Sequence, residues 1–261
     1  DENQTSASRS FSITVQNDSP SNHFNTVLYT GNDTNTSYTR NITGVGFQPD
    51  LVWIKSRDTT GFEHALFDSV RGAGASKILS SDTTGAQGWT SGAPMSAFIT
   101  DGFSIQPRSP WNSNNLINKN GDDFVAWSFK AGGAAVANTD GTINTQVSVN
   151  NTLGFSISKY TGNGVSGATF AHGLGSQVNL SIVKRTDATA YWYVYSSLLP
   201  SNNNLYLNTS DGKQADGVML GGNTTTVSIS ASTSVNANGG QYVAYNFTSK
   251  PGFSKVGSYT G

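Results

Sequence analysis

FVAWSF at residues 124–129 returns as YVAYNF at residues 242–247, and the alternation the two share decides the fold. Apolar side chains recur at every second position, the period of a β-strand whose two faces meet different surroundings. Val125, Trp127 and Phe129 correspond to Val243, Tyr245 and Phe247. A position that stays apolar in both copies is expected to be core, so the odd-numbered face of each strand is predicted to point inward. On that reading Trp127→Ala costs about 3–5 kcal/mol of the roughly 5–15 kcal/mol that holds a domain folded, and soluble expression of the first copy is lost.

Working outward, the repetition extends over most of the chain. One copy opens at Tyr29-Thr30-Gly31 and runs through GVGFQPDLVWIKSRD (44–58); the other opens at Tyr160-Thr161-Gly162 and runs through GLGSQVNLSIVKRTD (173–187). A third opening, Tyr259-Thr260-Gly261, ends the chain. Leu51 and Trp53 correspond to Leu180 and Ile182 whereas Val52 meets Ser181, which predicts a buried Leu51/Trp53 face. A period of roughly a hundred residues exceeds a solenoid unit and matches an independently folding domain, so the modules are expected to be strung like beads.

Alternating apolar runs predict strands near 24–30, 50–56, 63–69, 96–99, 102–106 and 123–130 in the first copy. Counterparts fall near 153–161, 179–185, 190–197, 204–208, 225–230 and 241–248, separated by Gly, Asn, Asp and Pro clusters. No helical period is sustained. Short strands with turn chemistry between them imply antiparallel sheets packed face to face, an all-β fold of tandem β-sandwich modules of the jelly-roll kind. The expected organisation is a terminal strand in 1–18, a first module over 24–133, a linker over 134–152 and a second module over 153–251. Residues 252–261 then either open a third module or close the second.

Composition narrows the function. Only 12% of residues are charged and the net charge is −1, with no basic run to attract a polyanion, so nucleic acid is not an expected partner. No apolar stretch reaches the roughly 18–20 residues of a bilayer span, so membrane insertion is not expected and the chain is read as soluble. Cysteine is absent, which points to a reducing compartment during folding or to cores large enough to need no disulfides.

The run GFQPDLVWIKSRD, followed by HALFDSVRG (64–72), LSSDTTGAQG (79–88), DGF (101–103) and FVAWSFKAGG (124–133), resembles a repeat domain of bacteriophage virion proteins, common in marine and cyanobacterial phages. RSFSITV (9–15) resembles the last strand of an immunoglobulin-like or cadherin-like repeat. The resemblance implies a concanavalin-like or laminin-G-like sandwich in a tail fibre, spike or capsid-surface appendage. It places the chain in the virion and makes it a homo-oligomer whose partners are copies of itself and neighbouring virion proteins. The alternative is a carbohydrate-binding adhesin module, either receptor-binding on the phage or displayed on a bacterial surface, with host glycans as partner. The second copy departs from the pattern at Val178-Asn179, in place of Pro49-Asp50, and in YWYVYSSL, in place of FDSVRG. Asp68 and Arg71 are therefore particular to the first copy, where a local salt bridge or turn cap is expected.

Catalysis is not expected. Glutamate occurs only at Glu2 and Glu63, and Asp122-Asp123 are adjacent, so in a strand they face opposite sides and form no glycosidase pair. No G-x-S-x-G elbow is present. Gly162–Gly167 matches G-x-G-x-x-G, but ATFAHGLG supplies no helix to hold a pyrophosphate, so it is read as a turn. His23, His64 and His172 lie far apart with no cysteine to complete a zinc site. No cofactor is implied, although the Asn/Asp-rich loop 112–123 offers oxygen ligands for calcium. Trp89, and Trp111 beside Asn112, stand in loop-like segments, where each is a candidate for stacking on a sugar, for a protein contact or for anchoring its loop.

Overall fold

The computed structural model describes residues 19–33, 39–88, 94–106 and 116–259. Regular structure in the first half consists of β1 (Phe24–Thr30), β2 (Arg40–Thr43), β3 (Leu51–Ser56), β4 (Ala65–Asp68), β5 (Met95–Ile99), β6 (Gly102–Ile105) and β7 (Asp123–Phe129). There follow β8 (Val136–Asn138), β9 (Thr145–Asn150), β10 (Phe155–Thr161), β11 (Ala168–Ala171), β12 (Leu180–Arg185), β13 (Tyr193–Ser196), β14 (Leu205–Tyr206), β15 (Met219–Gly222), β16 (Thr226–Ile229), a one-turn helix α1 (Thr233–Asn236) and β17 (Gln241–Phe247). The fold is all-β, as the alternation requires.

The strands form four sheets: β2-β6-β5, β1-β7-β3-β4, β14-β13-β12-β17-β10-β9-β8 and β11-β16-β15. Every ladder between them is antiparallel. The first two sheets enclose one core, with Tyr29, Val52, Ile54, Phe67, Phe124 and Ala126 on one side and Ile42, Met95, Phe103 and Ile105 on the other. The last two enclose a second, built on Tyr160, Val183, Tyr242 and Ala244 against Phe170, Met219, Val227 and Ile229. The register is the same in both sandwiches. Tyr29 faces Phe124 as Tyr160 faces Tyr242, and Leu51 faces Phe129 as Leu180 faces Phe247.

A third core lies between the sandwiches, where Leu51, Leu66 and Phe129 of the first main sheet meet Phe155, Ile157, Ile182, Val243, Tyr245 and Phe247 of the second. The order is therefore outer sheet, main sheet, main sheet, outer sheet. This corrects two expectations. The module core lies on the even-numbered face of β7, and the face that stays apolar in both copies, including Leu51 and Trp53, is the one on which the main sheets stack. Comparison of copies found an apolar face correctly, but a sheet covered on both sides has two of them. The modules are also not separate beads, since they share buried surface.

Residues 134–152, expected as a linker, contain β8 and β9, which extend the second main sheet by two strands. The corner before them is tight. A Cβ on Gly132 would lie 2.6 Å from the Val149 carbonyl oxygen, so only glycine fits. Asp50 fixes that corner by accepting hydrogen bonds from the N–H groups of Ala131 (2.8 Å) and Gly133 (3.2 Å), and Asn179 accepts the equivalent bond from Ser249 (2.8 Å). The departure from Asp50 to Asn179 thus keeps the acceptor and drops the charge. Residues 252–259 form no strand, and the expected strand within 1–18 lies outside the described residues.

The recurring Tyr-Thr-Gly has a physical reason. Tyr29 and Tyr160 end buried, and each hydroxyl donates 2.7 Å to a backbone carbonyl, of Ile117 and Val235 respectively. Burial raises both phenol pKa values, so the hydroxyls stay protonated donors. A Cβ on Gly31 would fall 1.9 Å from the Lys119 carbonyl oxygen, and one on Gly162 would fall 2.3 Å from that of Ala237.

Candidate functional site

Asp68 ends β4 opposite Leu51, so strand alternation points it into the core between the sandwiches. There it is fully buried and accepts 2.8 Å from the Arg71 backbone N–H, 2.6 Å from Arg71 Nε and 2.8 Å from the Tyr245 hydroxyl of the other sandwich. Arg71 reaches on to the Lys77 carbonyl, to Gln87 (3.2 Å) and to Tyr245 (3.4 Å). Burial opposes its charge, but Asp68 and Tyr245 outweigh that and hold its pKa above the ordinary arginine value. Burial first, then the Asp68 charge, pushes the Tyr245 phenol far up. The expected local salt bridge therefore exists, and it is also the buried polar clamp between the two halves.

A second clamp lies where β12 ends and β13 begins in the second main sheet. Lys184 Nζ donates to the carbonyls of Ala190 (2.7 Å) and Thr84 (2.9 Å), and the Trp192 indole donates to Ser80 (2.8 Å) and Thr83 (3.1 Å). Backbone bonds from Ala190 to Thr84 (3.0 Å) and from Gln87 to Thr186 (2.8 Å) complete it. The second sandwich thus holds the loop over residues 80–87 through that loop's backbone carbonyls and the Gln87 N–H. Burial pushes the Lys184 ammonium down to about 8.

The first sandwich has the same framework without the cover. Lys55 Nζ donates to the Phe62 carbonyl (2.6 Å) as Lys184 does to Ala190, and the His64 N–H donates to Asp82 (3.1 Å) as that of Trp192 does to Asn208 (2.9 Å). His64 therefore occupies the place of Trp192. Trp53 packs at the rim of the shared core, and from it the row Trp53, Trp127, Thr26 and the row Lys55, Val125, Leu28 run outward to solvent, with Leu28 61% exposed. Trp53 meets Trp127 edge-on at 6.2 Å and donates 2.8 Å from Nε1 to His64 Nδ1. That bond makes Nε2 the protonated nitrogen of a neutral ring. Burial, helped by Lys55 and opposed by Asp82, holds the His64 pKa below its ordinary value. The result is a half-buried aromatic shelf on the sheet face, suited to contact with the apolar face of a sugar or with another protein.

Trp89, Trp111 and Asn112, the residues singled out from sequence, lie outside the described residues. His172 is buried, its ring bonded to the Asn223 carbonyl (3.2 Å). Gly162–Gly167 leads into β11 and not a helix. Among the described residues no group of three or more His, Asp or Glu is placed to hold a metal, and no helix is long and apolar enough to cross a membrane. Sequence reasoning missed Lys184, Trp192 and Tyr245. One signal was present: replacing Trp127 by Tyr245 adds a hydroxyl at a buried strand position, which calls for a buried acceptor.

The family model of a domain of unknown function, DUF7483, matches residues 19–261, a span that takes in both sandwiches and their junction. No curated protein and no solved structure matches the chain.

Proposed function

The chain belongs to the DUF7483 family, whose function is unknown, and from the resemblance of its repeated segments to phage virion repeats we propose that it is a structural protein of a bacteriophage virion, a rigid unit of a tail fibre, spike or capsid-surface appendage that bears attachment surfaces. The observation that carries this reading is the apolar core between the sandwiches, clamped by Asp68, Arg71 and Tyr245. A continuous stack of four sheets resists bending, which suits an element that must project a surface, and weak contacts repeated over many copies supply avidity. Mass spectrometry of purified particles of a phage encoding the chain is expected to find it at a stoichiometry comparable to other structural proteins. Its absence from washed particles would overturn the reading.

The Trp53/Trp127 shelf favours a second reading, a carbohydrate-binding adhesin module. On a glycan array, saturable binding lost in Trp127→Ala would favour that reading over pure scaffolding.

A further inference from the structure

We infer that the first sandwich carries a binding pocket for a single neutral sugar ring, at the place where the second sandwich packs a pair of tyrosines. The matched bonds of the two frameworks fix the correspondence. His64 with Asp82 answers to Trp192 with Asn208, so Glu63, one residue before His64, stands for Tyr191, and Ser80, two before Asp82, stands for Tyr206. In the second sandwich Tyr191 and Tyr206 stack with centroids 4.6 Å apart and planes 15° from parallel. In the first, the same two positions hold a carboxylate and a hydroxyl, with Ser80 Oγ donating 3.1 Å to Glu63.

Where two aromatic rings are replaced by two small polar groups, a cavity of about 260 Å³ remains, lined by Glu63, Ser80, Thr83, Ile78 and the backbone at Gly85 and Gly88. That size suits one pyranose and falls below the roughly 300 Å³ at which clefts begin to hold drug-sized ligands. The wall is held in place from behind. The carbonyls of Ser80, Thr83 and Thr84 are bound by Trp192 and Lys184, and Gly88 N–H bonds to Ile78 (2.9 Å). A pocket fixed in this way loses little further entropy on binding. Its chemistry is specific. The carboxylate accepts two hydrogen bonds from neighbouring sugar hydroxyls, Ser80 and Thr83 add donor and acceptor oxygens, and Ile78 offers an apolar contact to ring C–H groups. The Glu63 charge disfavours acidic sugars.

The test uses the full chain and a panel of free neutral hexoses followed by amide chemical shifts. One hexose is expected to bind in the millimolar range and to shift the amides of Ser80, Gly85 and Gly88. Glu63→Gln is expected to weaken that binding about tenfold, the effect of losing a charged hydrogen-bond acceptor. The double variant Glu63→Tyr, Ser80→Tyr rebuilds the tyrosine stack, so it should keep the fold and lose binding altogether. No hexose shifting these amides, or a folded double variant that binds like the wild type, would sink the proposal. Neither result bears on whether the chain is found in virions.

Discussion

At the scale of single residues, burial sets the consequence of each charge. Asp68 and Arg71 are a buried pair, whereas Arg185 and Asp187 form a 2.8 Å pair with both side chains partly exposed. Asp68→Ala leaves a guanidinium buried without its counter-ion and is expected to cost about 3–5 kcal/mol in denaturant unfolding, while Asp187→Ala should cost less than about 1 kcal/mol. Lys184 gives a pH signature. Its folded pKa of about 8 lies below the unfolded value of 10.5, so between those values the unfolded chain binds the extra proton and stability rises with pH. The contribution is complete above 10.5 and lost as pH falls through 8, with a slope of at most about 1.4 kcal/mol per pH unit. Above pH 10 the buried tyrosines, whose pKa values are raised, oppose it, because they ionise only in the unfolded chain. Unfolding followed against pH should show the rise between 8 and 10 in the wild type and no rise in Lys184→Met. Trp127 is half-buried on the shelf, so Trp127→Ala should leave a soluble protein, contrary to the sequence expectation. Phe124→Ala, in the first core, should cost about 3–5 kcal/mol, and comparing the two melting curves decides between the faces.

At the scale of elements, the strands with strong alternation were legible. β1 spans the expected 24–30, and β3, β7, β10, β12 and β17 fall within a residue or two of expectation. The unread ones, β2, β8, β9, β11 and β15, are short or rich in Asn, Thr, Ser and Gly, so their strand character comes from the neighbour they pair with and not from their own pattern. The segment 134–152 looked like a linker for this reason, and Gly132, at the corner just before it, is a close-packing residue where glycine alone reads as flexibility. Asp50 closes the adjoining corner. Asp50→Asn is expected to cost less than about 1 kcal/mol, since Asn179 performs the same task, and Asp50→Ala about 1–3 kcal/mol through the amides left unpaired. Thermal unfolding of the two variants side by side measures that difference.

At the scale of the whole molecule, the core between the sandwiches predicts cooperativity. Calorimetry of the chain is expected to show one transition whose van't Hoff and calorimetric enthalpies agree, because unfolding either half exposes the apolar face of the other. Two resolved transitions would mean that the shared core contributes little. The sequence by itself determined the all-β class, the strongly alternating strands, the internal duplication and the residues that correspond between the copies, because each follows from local period or from the repeated phrase; the roles of Tyr29, Tyr160 and their glycines came from the structure. Only the tertiary structure decided which face of each strand meets which core, that two sandwiches share a third core, and that Glu63 and Ser80 stand where Tyr191 and Tyr206 stack. Alternation records that two faces differ and carries no record of what lies against them. That identity comes from tertiary contacts, among them the bond between Asp68 and Tyr245, which no local pattern records.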